Sequence, residues 1–415
     1  MTRNTTRAGA LWAAFLAAHV LVAWLGWVLP AQPMGDVVLV YQPWSSAALA
    51  GETVVGITQP WVYPQLALVP MLLAQVLAAP FTATFGIAGA YLIGWAILVT
   101  ACDLLAFAVL VGRGRTRRRR QAAWFWIGAL VLLGPIALYR IDAITVPIAV
   151  AGGLWLAQRP RIGAVLLTIG AWVKIWPGAL VLAAAAAGRR SWQIILTAAS
   201  VSAALVGALV LLGAGEHVFG FLTTQAGRGL QIEAVAATPF LWLAVVGAVR
   251  IEYSFEILTF QIVAPAADAV SSSLTVVMAA AIVALVVAGV AQARAGAAWQ
   301  RLLPPLSLAL VVALIVTNKV GSPQFTTWLL PPVILWLVFD RPRARSAAAL
   351  VLALCALTFA IYPLAYDALL RAEPAAVLVV TVRNLLLVVL LVHSTWAVMR
   401  APRASASARP SRTVR

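Results

Sequence analysis

The chain has 415 residues, 63% of them hydrophobic and 10% charged, with mean hydropathy +0.99 and a formal charge of +17. That composition leaves too little polar surface to coat soluble domains and excludes a disordered scaffold. It supplies material for roughly ten membrane crossings of about 20 residues each. The two cysteines, Cys102 and Cys355, lie inside apolar segments, which argues against a disulfide framework or a cysteine-based metal site.

The first apolar stretch, about 8–29, follows Arg3 and Arg7 and is too long for a removed signal peptide. It reads as a span with a cytoplasmic N-terminus, followed by an outer loop over 31–63. Residues 64–81 carry Pro64, Pro70 and Pro80, and 85–111 ends at Arg113, Arg115 and Arg117 to Arg120. Two full spans here would put those arginines outside, so 64–81 is predicted to be a re-entrant or interfacial helix. Segment 122–138 runs outward to "LYRIDAITVP", and 143–157 returns to "QRPR".

Both ends of 162–187 carry arginine, and its centre, "GAWVKIWPG", contains Lys174 and Pro177. One straight span fails parity, and two half-helices meeting in the interior satisfy it. Segment 191–213 leads out to a second outer stretch, 214–265. Its 11-residue apolar piece is too short to span, and is expected on the membrane surface or beneath the site. Spans at 266–291, 303–317, 326–339, 347–366 and 375–399 complete the count. Residues 400–415 read as a disordered basic tail drawn to anionic membrane lipids.

The expectation is an all-α polytopic membrane protein, with one transmembrane domain over 1–399, about ten spans and extra short helices. The predicted cytoplasmic ends hold 22 of the 29 basic residues, whereas ten of the 12 acids fall at or near the outer face. The charge excess is therefore a topology device rather than a sign of nucleic-acid binding, and acid chemistry belongs outside.

Four polar stations stand on that outer side. "MGDVVLVYQPW" holds Asp36 and Tyr41, where Asp36 either caps a connector or serves as a general base in apolar surroundings. "YRIDAITVP" holds Arg140 and Asp142, a turn-locking pair or the wall of a wet cavity. Lys174 lies between Trp172 and Trp176, and so deep a lysine needs an anion, either a protein carboxylate or a phosphate. "VTNKVGSPQFTTW" supplies Asn318, Lys319 and Gln324 at a turn that is architectural or suited to sugar hydroxyls and phosphate. "GRGLQIEAVAATP", with Arg228 and Glu233, is placed to close over the same vestibule, and His217 stands nearby in sequence.

No Walker A, dinucleotide or HExxH motif is present, so neither a cofactor nor a metal is expected. Matched broken helices in two halves are also missing, which weakens an inverted-repeat transporter. Short cytoplasmic loops leave no room for a nucleotide-sugar domain. A donor must then reach an outward-facing site as a lipid-linked substrate.

In the order and spacing of Asp36, "YRIDA", "WVKIWP", "RGLQIEA" and "NKVGSPQFTTWLLP", the chain resembles the GT-C superfamily of multispanning glycosyltransferases. Within it, the chain is most similar to the GT87 group of actinobacterial polyprenyl-phosphate-mannose-dependent alpha-1,2-mannosyltransferases. The resemblance implies an inverting enzyme of a bacterial cell membrane with an extracytoplasmic active site. It implies Asp36 as general base, with Arg140, Asp142, Lys174 and Lys319 beside the cavity. The implied partners are a polyprenyl-phosphate sugar donor and a glycolipid or glycan acceptor. A lipid or glycolipid flippase using the same polar cavity, and a structural membrane partner, are the rival classes.

Overall fold

The computed structural model describes residues 2–112, 116–224, 229–254 and 259–403, with side chains from residue 9 onward. Helix α1 (Thr2–Val28) ends before a π-helical turn, Val37–Tyr41, that runs directly into α2 (Gln42–Leu49). A three-residue 3₁₀ turn, Ala79–Phe81, joins α3 (Leu68–Ala78) to α4 (Thr82–Val111). The two helices touch backbone to backbone, because a Cβ at Gly94 would lie 2.5 Å from the Ala74 carbonyl oxygen. Near its start α4 bends at Gly86, whose φ of 67° only glycine adopts without strain. A short helix before a long crossing is what the sequence predicted for 64–111.

Next come α5 (Arg117–Leu133), α6 (Asp142–Trp155) and α7 (Pro160–Val173). Extended backbone at Lys174 breaks the following stretch before α8 (Gly178–Ala186), which gives the two predicted half-helices. Then follow α9 (Ser191–Leu211), α10 (Gly220–Thr223) and α11 (Thr238–Val245). Helix α11 is the short apolar piece, and it packs on the last long helix, α17 (Pro374–Met399). Between α11 and α12 (Pro265–Arg294) lies a hairpin of β1 (Arg250–Ser254) and β2 (Thr259–Val263), antiparallel with Glu252 opposite Gln261. The all-α expectation did not include this small sheet. Its ten strand residues mix β-branched and aromatic side chains with polar ones, so they lack the long apolar signal on which the span count rested. Helices α13 (Trp299–Val316), α14 (Leu330–Phe339), α15 (Arg341–Phe359) and α16 (Tyr366–Leu370) precede α17.

Among the described residues, eight helical segments are long and apolar enough to cross a membrane. They match eight of the ten expected spans. The other two, at 143–157 and 326–339, correspond to the shorter segments Asp142–Trp155 and Pro323–Phe339. Both are almost wholly buried. A helix surrounded by protein need not match the thickness of the hydrocarbon, which accounts for their length.

The arginine-rich loops gather at one end of the bundle. Arg119 Nη1 donates to the last carbonyls of α4, Val109 at 2.9 Å and Leu110 at 2.8 Å, and Arg118 Nη1 donates to Phe339 O at 3.2 Å. Arg189 stacks over the Trp299 ring at 5.3 Å, and Ala298 N donates to Pro402 O at 2.9 Å. A cavity of about 440 Å³ between Gly112, Arg119, Leu154 and Gln158 brings the α6–α7 turn to the same end. Both termini of the broken 160–186 stretch therefore lie together, and the break at Lys174 lies away from them. Of the predicted tail, 404–415 is outside the described residues.

Candidate functional site

Two ion pairs, joined by tyrosines, form a polar site where the π-helical turn, the start of α6 and the α7–α8 break meet. The π-helical turn carries an extra residue per turn and ends in Tyr41, which is fully buried. Tyr41 Oη accepts the Ile141 backbone N–H at 3.2 Å, tying this turn to the segment that holds Arg140 and Asp142. Burial first, then the neighbouring Tyr63 and Asp36, hold the Tyr41 phenol well above its ordinary range, so it stays neutral. Tyr63 is shifted upward as well, chiefly by burial and against the pull of Lys174.

In the first pair, Arg140 Nε lies 3.4 Å from Asp36 Oδ2. The guanidinium is clamped from behind: Nη1 donates to the Pro33 and Tyr139 carbonyls at 2.9 Å, and Nη2 reaches Tyr362 Oη at 3.3 Å. The Tyr362 hydroxyl in turn donates to the Ala31 and Gln32 carbonyls at 3.1 and 3.2 Å. Arg140 is thus fixed, while the Asp36 side chain is 40% exposed. The apolar surroundings expected for Asp36 are not what the fold supplies; it is an accessible carboxylate facing a guanidinium.

The second pair is deeper. Lys174 Nζ lies 3.6 Å from Asp142 Oδ2 and 4.3 Å from the centre of the Tyr63 ring. Asp142 is fully buried, and its other oxygen accepts a hydrogen bond from Trp328 Nε1. Trp328 stacks on Trp176 at 5.8 Å, and Trp176 Nε1 donates to Thr145 Oγ1 at 2.9 Å, which fixes both rings around the carboxylate. Asp142 Oδ2 has no hydrogen-bond donor among the described residues. The ammonium is 13% exposed and half-tied, an arrangement that leaves donor capacity facing the site. Both expected anions for Lys174 are therefore compatible with its position, with Asp142 filling the carboxylate role at a loose distance.

The Tyr63 ring against Lys174 belongs to a cluster with Trp44 and Trp61, ring centres 5.4–6.0 Å apart. Cavities of about 340 and 440 Å³ elsewhere in the molecule are lined by other residues.

Of the remaining predicted residues, Glu233, Asn318, Lys319 and Gln324 belong to a neighbouring structural knot. Gln231 N donates to Lys319 O at 3.0 Å, and Gln231 Oε1 accepts the Gly321 N–H at 2.9 Å. A side chain at Gly321 would collide with the Glu233 carbonyl and Ala234 N, so only glycine fits there. Lys319 and Gln324 are buried, while Asn318 Oδ1 accepts the Val320 N–H at 2.9 Å in a local turn. Glu233 pairs with Arg383 of α17: Nη1 donates to Oε2 at 2.6 Å, and Nη2 to the Glu233 carbonyl at 2.6 Å. Burial shifts the Glu233 carboxyl upward, opposed by the Arg383 charge. Tyr362 and Tyr366, with ring centres 5.1 Å apart, connect this knot to Arg140.

His217 meets Gln65 instead, its carbonyl accepting from Gln65 Nε2 at 2.9 Å. Arg228 is outside the described residues. Sequence reading missed Arg383, Tyr362 and Trp328, because they lie in apolar segments read as spans. It also missed that Lys174 and Lys319 are the only lysines in a chain of 27 arginines, a signal that was present. Among the described residues, no three of His, Cys, Asp and Glu converge as metal ligands.

Fold and site define a mostly α-helical, multi-spanning membrane protein with an ion-paired site at the end opposite its arginine-rich loops. No family model, curated protein or solved structure matches the chain.

Proposed function

We propose that this protein is an inverting glycosyltransferase that moves a sugar, mannose in the reading favoured by the sequence, from a polyprenyl phosphate to a glycolipid or glycan acceptor. The observation that carries the proposal is an accessible carboxylate, Asp36, held by Arg140, together with a deeper, half-tied ammonium, Lys174, and with Tyr63 close to both charges. Single displacement at an anomeric carbon needs a proton acceptor on one side and a positive group at the leaving phosphate on the other. Asp36 would take the proton from the acceptor hydroxyl as its oxygen bonds to the anomeric carbon. The bond from that carbon to the phosphate oxygen breaks, and the lipid phosphate leaves with the electron pair. Arg140 orients Asp36, and Lys174 meets the charge developing on the phosphate. Inversion at carbon follows from one displacement, so a beta-linked donor gives an alpha product. The proposed site faces the extracytoplasmic side of a bacterial membrane, following the charge bias of the loops.

The test is reconstitution with polyprenyl-phosphate mannose and candidate acceptors, read by product mass. A mannosylated acceptor supports the reading, and its absence with every acceptor and donor sugar tried counts against it.

A second reading, a flippase or transporter of lipid-linked sugars, draws on one separate observation. His19 Nε2 and Asp103 Oδ2 form a 2.9 Å pair sealed between α1 and α4, and ionisable groups inside a membrane bundle mark transport pathways as well as structural staples. That reading expects a labelled donor lipid to change leaflet without any glycosylated product.

A further inference from the structure

A second charged site lies at the arginine-rich end, far from the polar site. Helix α5 opens with Arg117, Arg118, Arg119 and Arg120, and α15 opens with Arg341, followed by Arg343 and Arg345. The two helices pack side by side. The hydrogen bond from Arg118 to Phe339 O, across 221 residues of sequence, brings the α5 arginines to the first turn of α15. There Arg341 meets the like charges of Arg345, Arg117 and Arg118. Asp340, the one acid in the arginine-rich loops, sits 3.5 Å from Arg343, and among the described residues no carboxylate lies within ion-pair distance of Arg117, Arg118, Arg341 or Arg345.

Orientation in a membrane requires basic residues on each loop, not two sets pressed together. Both helices also start here, so their positive dipole ends add to the repulsion. A shared anion would relieve that repulsion. Arg117, Arg118 and Arg345 are exposed and Arg341 is half-buried, at the level where the apolar runs of α5 and α15 begin. Guanidinium forks at that depth match the phosphate of a lipid headgroup, which they bind bidentately.

We propose that Arg117, Arg118, Arg341 and Arg345 form a clamp for the phosphate of an anionic phospholipid in the adjoining leaflet. The clamp is independent of the chemistry at the other end of the molecule.

The test compares the purified full chain with R118K/R341K, which keeps the charge that sets topology and removes the two guanidinium forks. Native mass spectrometry would count phosphatidylglycerol and phosphatidylcholine retained by each, with inorganic phosphate as a parallel ligand, and thermal unfolding in phosphatidylcholine would check folding. Expected results are one phosphatidylglycerol retained selectively by the wild type, about tenfold weaker retention by the variant, and an unchanged unfolding midpoint. Equal retention by both proteins, no preference over phosphatidylcholine, or stabilisation by inorganic phosphate as strong as by the lipid would overturn the proposal.

Discussion

Lys174 Nζ stands 3.6 Å from Asp142 Oδ2, at the break between two half-helices, with the Tyr63 ring beneath it at 4.3 Å. One ammonium is thereby shared between a buried carboxylate and an aromatic face, and neither contact uses it fully. Half-helices end at Lys174 because the extended backbone there, with Pro177 following, stops α7 and starts α8 afresh. The break thus delivers a cation to the depth of the Asp142 carboxylate.

Structural and ligand-binding duties of Lys174 separate in a mutant cycle. Lys174→Met alone leaves Asp142 buried without its counter-charge and should lower stability by about 3–5 kcal/mol. Lys174→Met with Asp142→Asn should regain most of that in a thermal unfolding assay. If Lys174 meets the donor phosphate, the double variant should still show a donor KM raised roughly 10- to 100-fold. A double variant with wild-type stability and wild-type donor kinetics would confine the lysine to holding Asp142.

The Glu233–Arg383 pair ties the loop at 229–237 to α17 and has both partners buried. Arg383→Met should cost about 3–5 kcal/mol of stability, because it strands a buried carboxylate. Hydrogen exchange should then rise first in 229–234 and around Gly321, which Gln231 links to the same knot. Uniform exchange across the bundle would contradict the anchoring role.

Gly321→Ala should prevent the 318–324 turn from closing, since the added methyl meets the Glu233–Ala234 backbone rather than a movable side chain. Expression in folded form, followed by size-exclusion chromatography, checks this. A well-folded Ala variant would show that the loop has another way to pack.

His19 and Asp103 offer a test that also separates the two functional readings. Nδ1 of His19 donates to the Phe15 carbonyl at 2.8 Å, which leaves Nε2 to bond Asp103 Oδ2 at 2.9 Å. Asp103→Leu alone should destabilise by about 3–5 kcal/mol, and His19→Leu with Asp103→Leu should recover much of it. Under the transferase reading the recovered double variant keeps its turnover. Loss of activity in that stable variant would favour a transport role for the pair.

Most of the fold was legible in the sequence because lipid forces its rules on composition. Apolar length gave the eight long helices, and arginine position gave the common end and the broken 160–186 stretch. The two shortest expected spans were harder to judge, since a buried helix such as α14 escapes the length rule. The β1–β2 hairpin was missed because its short strands are partly polar. At the site, charged residues in apolar contexts exposed Asp142 and Lys174, while their partners Trp328 and Tyr63 are aromatic and look like ordinary membrane residues. Arg383 was absorbed into the last span, and only the fold shows that it faces Glu233.

The central claim is tested most directly by measuring product formation with Asp36→Asn in vesicles that contain a polyprenyl-phosphate sugar donor and a glycolipid acceptor. Wild-type protein should yield a glycosylated acceptor of inverted linkage. The Asn variant, equal in folding and donor binding, should turn over at least about 100-fold more slowly, as expected when a general base is removed. Turnover by Asp36→Asn close to wild type would contradict the assignment of Asp36 as the base.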